Sequence, residues 1–161
     1  MKIGVMADSH DNIPKIRQAV ELFNREGVGL VVHAGDFISP FSIVPLEDLD
    51  CQVLAVFGNN DGERIGVASQ LFGMGEVHPN LATTEISGRR IAVVHYPELA
   101  SPLARSGAFD LVVYGHTHQI EERIEKGLLL NPGEVGGWLT GLSTVAIVDL
   151  ETLEVQIHEL P

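Results

Sequence analysis

Seven side chains with metal-binding chemistry stand just beyond short apolar runs of this 161-residue chain. Asp8 and His10 follow IGVMA, Asp36 follows LVVHAG, and Asn59 follows VLAVFG. His95 follows IAVV, and His116 and His118 follow LVVYG. The set offers three carboxylate or amide oxygens and four imidazole nitrogens. A single tetrahedral zinc takes four ligands, so seven suggest two cations sharing a carboxylate. Mixed nitrogen and oxygen donors without a thiolate suit manganese, iron, zinc or nickel better than calcium or copper(I); of these manganese is the expected ion. Asn59 would add a neutral oxygen, which leaves net positive charge for an anion.

The spacing has a physical sense. In an extended segment residues i and i+2 point the same way, about 7 Å apart. Asp8 with His10, and His116 with His118, are expected to present pairs of donors while Ser9 and Thr117 point away. Gly35, Gly58 and Gly115 each precede a donor, where a missing side chain lets the backbone bend or approach closely.

The elements that must position these groups alternate short apolar runs with amphipathic stretches, the pattern of an α/β domain. KIGVMAD, LVVHAGD, VLAVFGNND and FDLVVYGH read as strands. A helix follows the first, capped by Asn12, with Pro14 in its first turn and Gly27 as its stop. Ile16, Ala19, Val20 and Phe23 share its apolar face. Residues 40–50 are expected to form a short helix, 62–75 a glycine-rich helix or loop, and PELASPLARSG another short helix. LATTEI and RRIAVVHY flank Ser87-Gly88 as a hairpin. QIEERIEKGLLLNPG alternates with a turn at Lys126-Gly127. The last eighteen residues or so form a hairpin turning near Glu151-Thr152. These strands exceed what one parallel sheet needs, so the expected architecture is a two-sheet β-sandwich flanked by helices, in one domain over 1–161. The C-terminal ends of parallel strands form the edge where such folds bind ligands.

Composition narrows the function. Acidic residues outnumber basic ones 22 to 10, for a net charge of −12. That surface repels nucleic-acid phosphates and anionic membranes, so neither is an expected partner. No apolar stretch reaches the length of a bilayer span. The N-terminus turns polar too soon for a secretory signal, and a single cysteine, Cys51, fits a reducing cytoplasm and an inert thiol.

Taken in order, Asp8-Ser-His10, Gly35-Asp36, Gly58-Asn59-Asn60-Asp61, His95 and Gly115-His116-Thr-His118 resemble the calcineurin-like metallophosphoesterase superfamily. Size and the Asn131-Pro132-Gly133 segment are most similar to its compact YfcE-like or MJ0936-like phosphodiesterases. The resemblance implies a four-layer fold, with Asp8, His10, Asp36 and His118 around one metal. Asp36, Asn59, His95 and His116 would surround the other, and Asp36 would bridge. It implies attack of a metal-bridging hydroxide on a small phosphodiester. Many relatives carry histidine where this chain has Asn60, and that histidine is thought to protonate the leaving group. Asn60 cannot, so good leaving groups should be favoured. Many relatives also have Gly-His where this chain has Tyr96-Pro97. Asn60 and Asp61 are the candidate catalytic residues: Asp61 either orients a ligating histidine or shapes a turn.

Two other readings accompany the enzyme. Some chains of this fold act as protein-binding scaffolds, and larger relatives are nucleases. A full donor set argues against the first, and acidity and small size against the second. A homodimer is a base-rate expectation. His33 reads as core or as a support for a ligand, His78 and His158 as exposed. Asn131-Pro132-Gly133 reads first as a turn and, since it follows LLL, alternatively as a segment near the site that offers backbone groups to phosphate; the segment GEVGGWLTG reads as flexible. Trp138 is either core or a lid. Arg89 and Arg90 read as a solvated strand end.

Overall fold

The computed structural model describes residues 1–161. Strand β1 (Lys2–Met6) leads through helix α1 (Ile13–Glu26) to β2 (Leu30–His33), its parallel neighbour. The Asn12 side chain caps α1 by accepting from the Lys15 amide at 3.4 Å, and Gly27 ends the helix at φ 65°. Two separate 3-10 turns, Pro40–Ser42 and Val44–Asp48, replace the single short helix expected there. Pro45 has no amide hydrogen to continue the first turn into the second.

Strand β3 (Gln52–Val56), helix α2 (Arg64–Leu71) and strand β4 (Gly75–His78) follow. The sequence does not announce β4, which is four residues long and opens on a glycine. Pairing from outside creates it: Gly75 lies opposite Val53, where a Cβ would meet the Val53 carbonyl oxygen at 2.2 Å. β5 (Leu81–Ile86) and β6 (Arg89–Val94) form the expected hairpin, with Ser87 and Gly88 at φ 51° and 73°. The chain continues through α3 (Pro97–Ser106), β7 (Leu111–Val113), β8 (Ile120–Ile124) and β9 (Leu128–Pro132). It ends in the hairpin of β10 (Thr144–Asp149) and β11 (Val155–Glu159). The expected Asn131-Pro132-Gly133 turn is displaced: Asn131 and Pro132 belong to β9, opposite Glu121 and Ile120, and only Gly133, at φ 83°, turns the chain.

Two sheets face each other, ordered β11-β10-β1-β2-β3-β4 and β5-β6-β7-β9-β8. The space between them is filled by Ile3, Val5, Val32 and Leu54 from one and Ile91, Val93, Leu111 and Leu130 from the other. The alternate residues of the first sheet, Met6, Val31 and Val53, pack under α1 with Ile16, Val20 and Phe23. The Phe23 ring lies against Gly4, where a Cβ would come within 2.7 Å of it. On the far side Ala100 and Ala104 of α3 cover Ala92, Val112 and Leu129. Helix, sheet, sheet and helix make the four expected layers. Each fully buried Val, Leu, Ile, Phe or Met contributes about 1.5–3 kcal/mol relative to exposure, so packing on both faces of each sheet holds the strand ends in place.

Candidate metal centre

β1, β2 and β3 run parallel in one sheet, and β6, β7 and β9 in the other. Their C-terminal ends open on one edge, and the seven side chains gather there. His10 Nε2 and His118 Nε2 face each other at 3.3 Å. Asp8 Oδ1 lies 4.0 Å from the first and 3.7 Å from the second. Asp36 Oδ2 lies 3.5 Å from His10 Nε2 and 3.6 Å from His95 Nε2, between the two groups. Asn59 Oδ1 sits 2.9 Å from His95 Nε2 and 2.9 Å from His116 Nδ1. Asp8, Asp36, His95 and His118 form a buried floor, whereas Asn59, Asn60 and His116 form an exposed rim.

The backbone achieves this differently from the extended geometry expected of the i, i+2 pairs. β1 ends at Met6 and β7 at Val113, before the donors begin. Asp8, His10, Asp36, His116 and His118 all have positive φ, between 43° and 69°. Such left-handed residues are uncommon outside glycine and concentrate at functional sites. Alternating turns, rather than pleat, bring Asp8 and His10 to one side while Ser9 points away to His33. Gly35 adopts φ 96°. Gly58 and Gly115 serve close approach: a Cβ at Gly58 would stand 2.1 Å from Asp36 Oδ1, and one at Gly115 2.9 Å from Asp8 Oδ2.

Around this floor the polar groups are tied down. His33 is fully buried, accepts from the Gly35 amide through Nδ1 at 3.1 Å, contacts Ser9 Oγ through Nε2, and stacks on Phe37. Burial holds its pKa down to about 3, with the nearby His95 and His10 adding to the effect, so the ring stays neutral. His95 Nδ1 donates to the Ala34 carbonyl at 2.7 Å, which turns Nε2 toward Asp36. Asp61 accepts from the amides of Asp36 (3.0 Å), Ile38 (2.9 Å) and Gly58 (2.7 Å). It therefore pins the loops after β2 and β3 to each other, and bonds to no histidine ring. Asn60 donates its backbone and side-chain N–H groups to the two oxygens of Asp36, at 2.8 and 2.7 Å.

One residue escaped the sequence reading. Glu134 follows β9, is fully buried, and accepts from His118 Nδ1 at 2.8 Å. GLLLNPGE obeys the same rule as the other five runs, apolar strand then donor, but the turn reading of Asn131-Pro132-Gly133 hid it. Asn131 does lie near the site, but through its side chain rather than its backbone: its buried amide donates to the Gly115 carbonyl and Thr117 Oγ1, both at 3.0 Å, bracing the turn that bears His116 and His118. Trp138 is 64% exposed and is not core; its indole N–H donates to the His10 carbonyl at 3.1 Å. Arg89 and Arg90 begin β6, at the opposite end from His95, and bond to the Leu150 carbonyl and Asp110. His78 and His158 are half-buried rather than exposed; they lie on β4 and β11, the two outer strands of the first sheet, paired with β3 and β10.

The electrostatics call for a cation. Asp8 and Asp36 are buried, and the only basic side chains within 4 Å of their carboxylates are histidines. Burial, and then the charge of Asp36, push the Asp8 pKa up to about 8. Burial lowers those of His10 and His95, which keeps both rings neutral and available as donors. Crowded carboxylates and neutral imidazoles without lysine or arginine fit divalent transition metals. Two overlapping groups, Asp8-His10-His118 and Asp8-Asp36-His95, each bring donor atoms within 4.8 Å of one another.

Comparison with known proteins gives the same direction. The family model described as the calcineurin-like phosphoesterase superfamily domain matches residues 1–153. Phosphodiesterase MJ0936 of Methanocaldococcus jannaschii is 40% identical over 159 residues, covering 96% of either chain. A solved structure described as a novel archaeal phosphodiesterase superposes with a TM-score of 0.93 at 38% identity, covering 99% of this chain and 100% of the other. YfcE, a phosphoesterase from E. coli, shares the fold with a TM-score of 0.70 at 20% identity and full coverage of both chains.

Proposed function

We propose that this chain, which belongs to the calcineurin-like phosphoesterase superfamily, is a phosphodiesterase that acts on small phosphodiesters with two divalent cations. The position of Asp36 carries the reading: one carboxylate oxygen lies within 3.6 Å of histidine nitrogens from both groups. Asp8, His10, Asp36 and His118 would hold one cation, and Asp36, Asn59, His95 and His116 the other. Mixed imidazole and carboxylate donors without a thiolate fit manganese, iron, zinc or nickel, and manganese is the ion we propose. Such a pair supplies positive charge against phosphate oxygens and lowers the pKa of water to make a nucleophile.

The protein's own residues do the positioning. Asn60 steadies both oxygens of Asp36. Asn59, Asn60 and His116 form the exposed rim over which a phosphate reaches the floor. Tyr96 stands edge-on to both His95 and His116, at 5.0 Å from each, and limits how those rings tilt. Nothing at Asn60 gives a proton to a departing alkoxide, so the leaving group must carry its own negative charge. The net charge of −12 disfavours long polyanions and leaves small diesters. The lone, half-buried Cys51 suits the reducing cytoplasm, and no helix is long and apolar enough to cross a membrane.

The test is to add manganese to metal-free protein and assay an aryl phosphodiester beside single-stranded DNA. Manganese-dependent turnover of the diester, lost in Asp36→Asn, is expected. Preferential cutting of DNA would make the chain a nuclease, and inertness toward both with manganese bound would make it a scaffold.

A further inference from the structure

We propose that Glu134 is a positioning residue that sets the tautomer of His118 and clasps the 134–142 loop over the Asp8–His10 turn. The inference rests on the metal-site reading above and adds a residue that lies outside the seven donors.

The carboxylate is fully buried and takes five donors. Oε2 accepts from His118 Nδ1 at 2.8 Å and from the Trp138 amide at 3.1 Å. Oε1 accepts from the amides of Leu139 (3.0 Å) and Thr140 (2.6 Å) and from the Thr140 hydroxyl (2.8 Å). Backbone amides only donate, so both oxygens are committed as acceptors. Four donors other than His118 favour the ionised carboxylate, which can only accept, so in the neutral ring the His118 proton resides on Nδ1 and the Nε2 lone pair faces Asp8 and His10. A carboxylate behind a ligating imidazole is a general device for fixing ring orientation and donor strength.

The same group joins the loop to the site. Val135 and Gly136 donate their amides to the carbonyls of Ala7 and Asp8, each at 2.9 Å. Asn12 Nδ2 donates to the Gly136 carbonyl at 2.7 Å, and the Trp138 indole to that of His10. A Cβ at Gly136 would stand 2.9 Å from Trp138 Cδ1 and 3.1 Å from the Asp8 carbonyl oxygen, so this contact leaves no room for a side chain. Glu134 thus holds His118 on one oxygen and the indole-bearing segment on both.

Glutamine keeps the shape and removes the logic. Its amide has one acceptor oxygen, and its nitrogen can only donate. Placed toward His118, the nitrogen forces the ring proton to Nε2, on the metal-facing side. Placed toward Thr140, it meets the Leu139 and Thr140 amides head-on, and these can only donate.

The experiment reads tautomer and metal affinity separately. Nitrogen-15 spectra of the metal-free wild-type protein should show His118 protonated at Nδ1. In Glu134→Gln the Nε2-protonated form should appear, and calorimetry should show one manganese step weakened about 10–100-fold. Thr140→Val removes one hydroxyl donor and spares His118; its tautomer and affinity should stay within about twofold of wild type. An Nε2-protonated His118 in the wild type overturns the proposal, and this reading needs no variant to fold. Wild-type affinity at both steps in Glu134→Gln, or equal weakening in Thr140→Val, also overturns it. Because the tautomer is read without metal, it decides on Glu134 even when the wild type takes up no manganese, a result that sinks the metal-site reading alone.

Discussion

Replacing Gly58 by alanine tests whether Asp36 is held where both donor groups can share it. The new methyl carbon would stand 2.1 Å from Asp36 Oδ1 and 2.7 Å from the Asp36 amide nitrogen, against about 3.4 Å for ordinary contact. The backbone cannot easily yield, because the Asp36 and Gly58 amides both donate to Asp61 Oδ2, at 3.0 and 2.7 Å. The carboxylate must therefore move, by roughly 1.3 Å, and the tied-down Asp36 amide must also give way; an error of that size in a reacting constellation costs about 100-fold in rate. Moving it breaks the bonds from Asn60 at 2.8 and 2.7 Å, and overpacking destabilises the fold by about 1–3 kcal/mol. Gly62→Ala is the control in the same loop, since its Cβ would meet nothing within 4 Å and its φ is not positive. It should be neutral, or stabilising by a few tenths of a kcal/mol. Manganese affinity, aryl-phosphodiester turnover and thermal unfolding are measured for all three proteins. A folded Gly58→Ala that keeps wild-type affinity and turnover would refute the argument that this contact places Asp36.

Stability of the metal-free protein should depend on pH in a defined window. Asp8 binds its proton more tightly folded (about 8) than unfolded (3.8), so it destabilises increasingly as pH rises between those values. His33, His10 and His95 have lowered pKa values and act the opposite way, but only below their ordinary 6.5. From pH 6.5 to 8 Asp8 therefore acts alone among them, and stability should fall by on the order of 2 kcal/mol. Denaturant titrations should show the fall in wild type and its loss in Asp8→Asn; a wild-type curve that is flat or rising contradicts the assignment. Rates should drop as leaving-group pKa rises across a series of diesters, and Asn60→His should flatten the slope; a flat wild-type plot with chemistry rate-limiting counts against the missing-acid argument. Phe23→Ala should cost about 3–5 kcal/mol in urea unfolding, because the ring is fully buried between α1 and Gly4, and a loss below about 1 kcal/mol would contradict that packing.

The sequence by itself determined which chemistry each strand delivers. IGVMA, LVVHAG, VLAVFG, IAVV and LVVYG are legible as strands because apolar β-rich runs are a local property. Their following donors are legible because a polar group at such a boundary stands out against the run. The α1 boundaries at Asn12 and Gly27 were readable for the same reason: capping is local chemistry. Tertiary structure alone decided which donors face one another. His10 and His118 are 108 residues apart in the chain, and their 3.3 Å approach depends on how two sheets stack. The left-handed turns at Asp8, Asp36 and His116 were equally hidden, since these residues adopt positive φ only where surrounding bonds compel it. β4 exists through pairing with β3, not through its own pattern. Glu134 looked like part of a flexible glycine-rich loop because its five donors come from the turn after β7 and from the fold of that loop itself. Periodicity records which face a residue presents to its own element, and it carries no term for what another element places opposite.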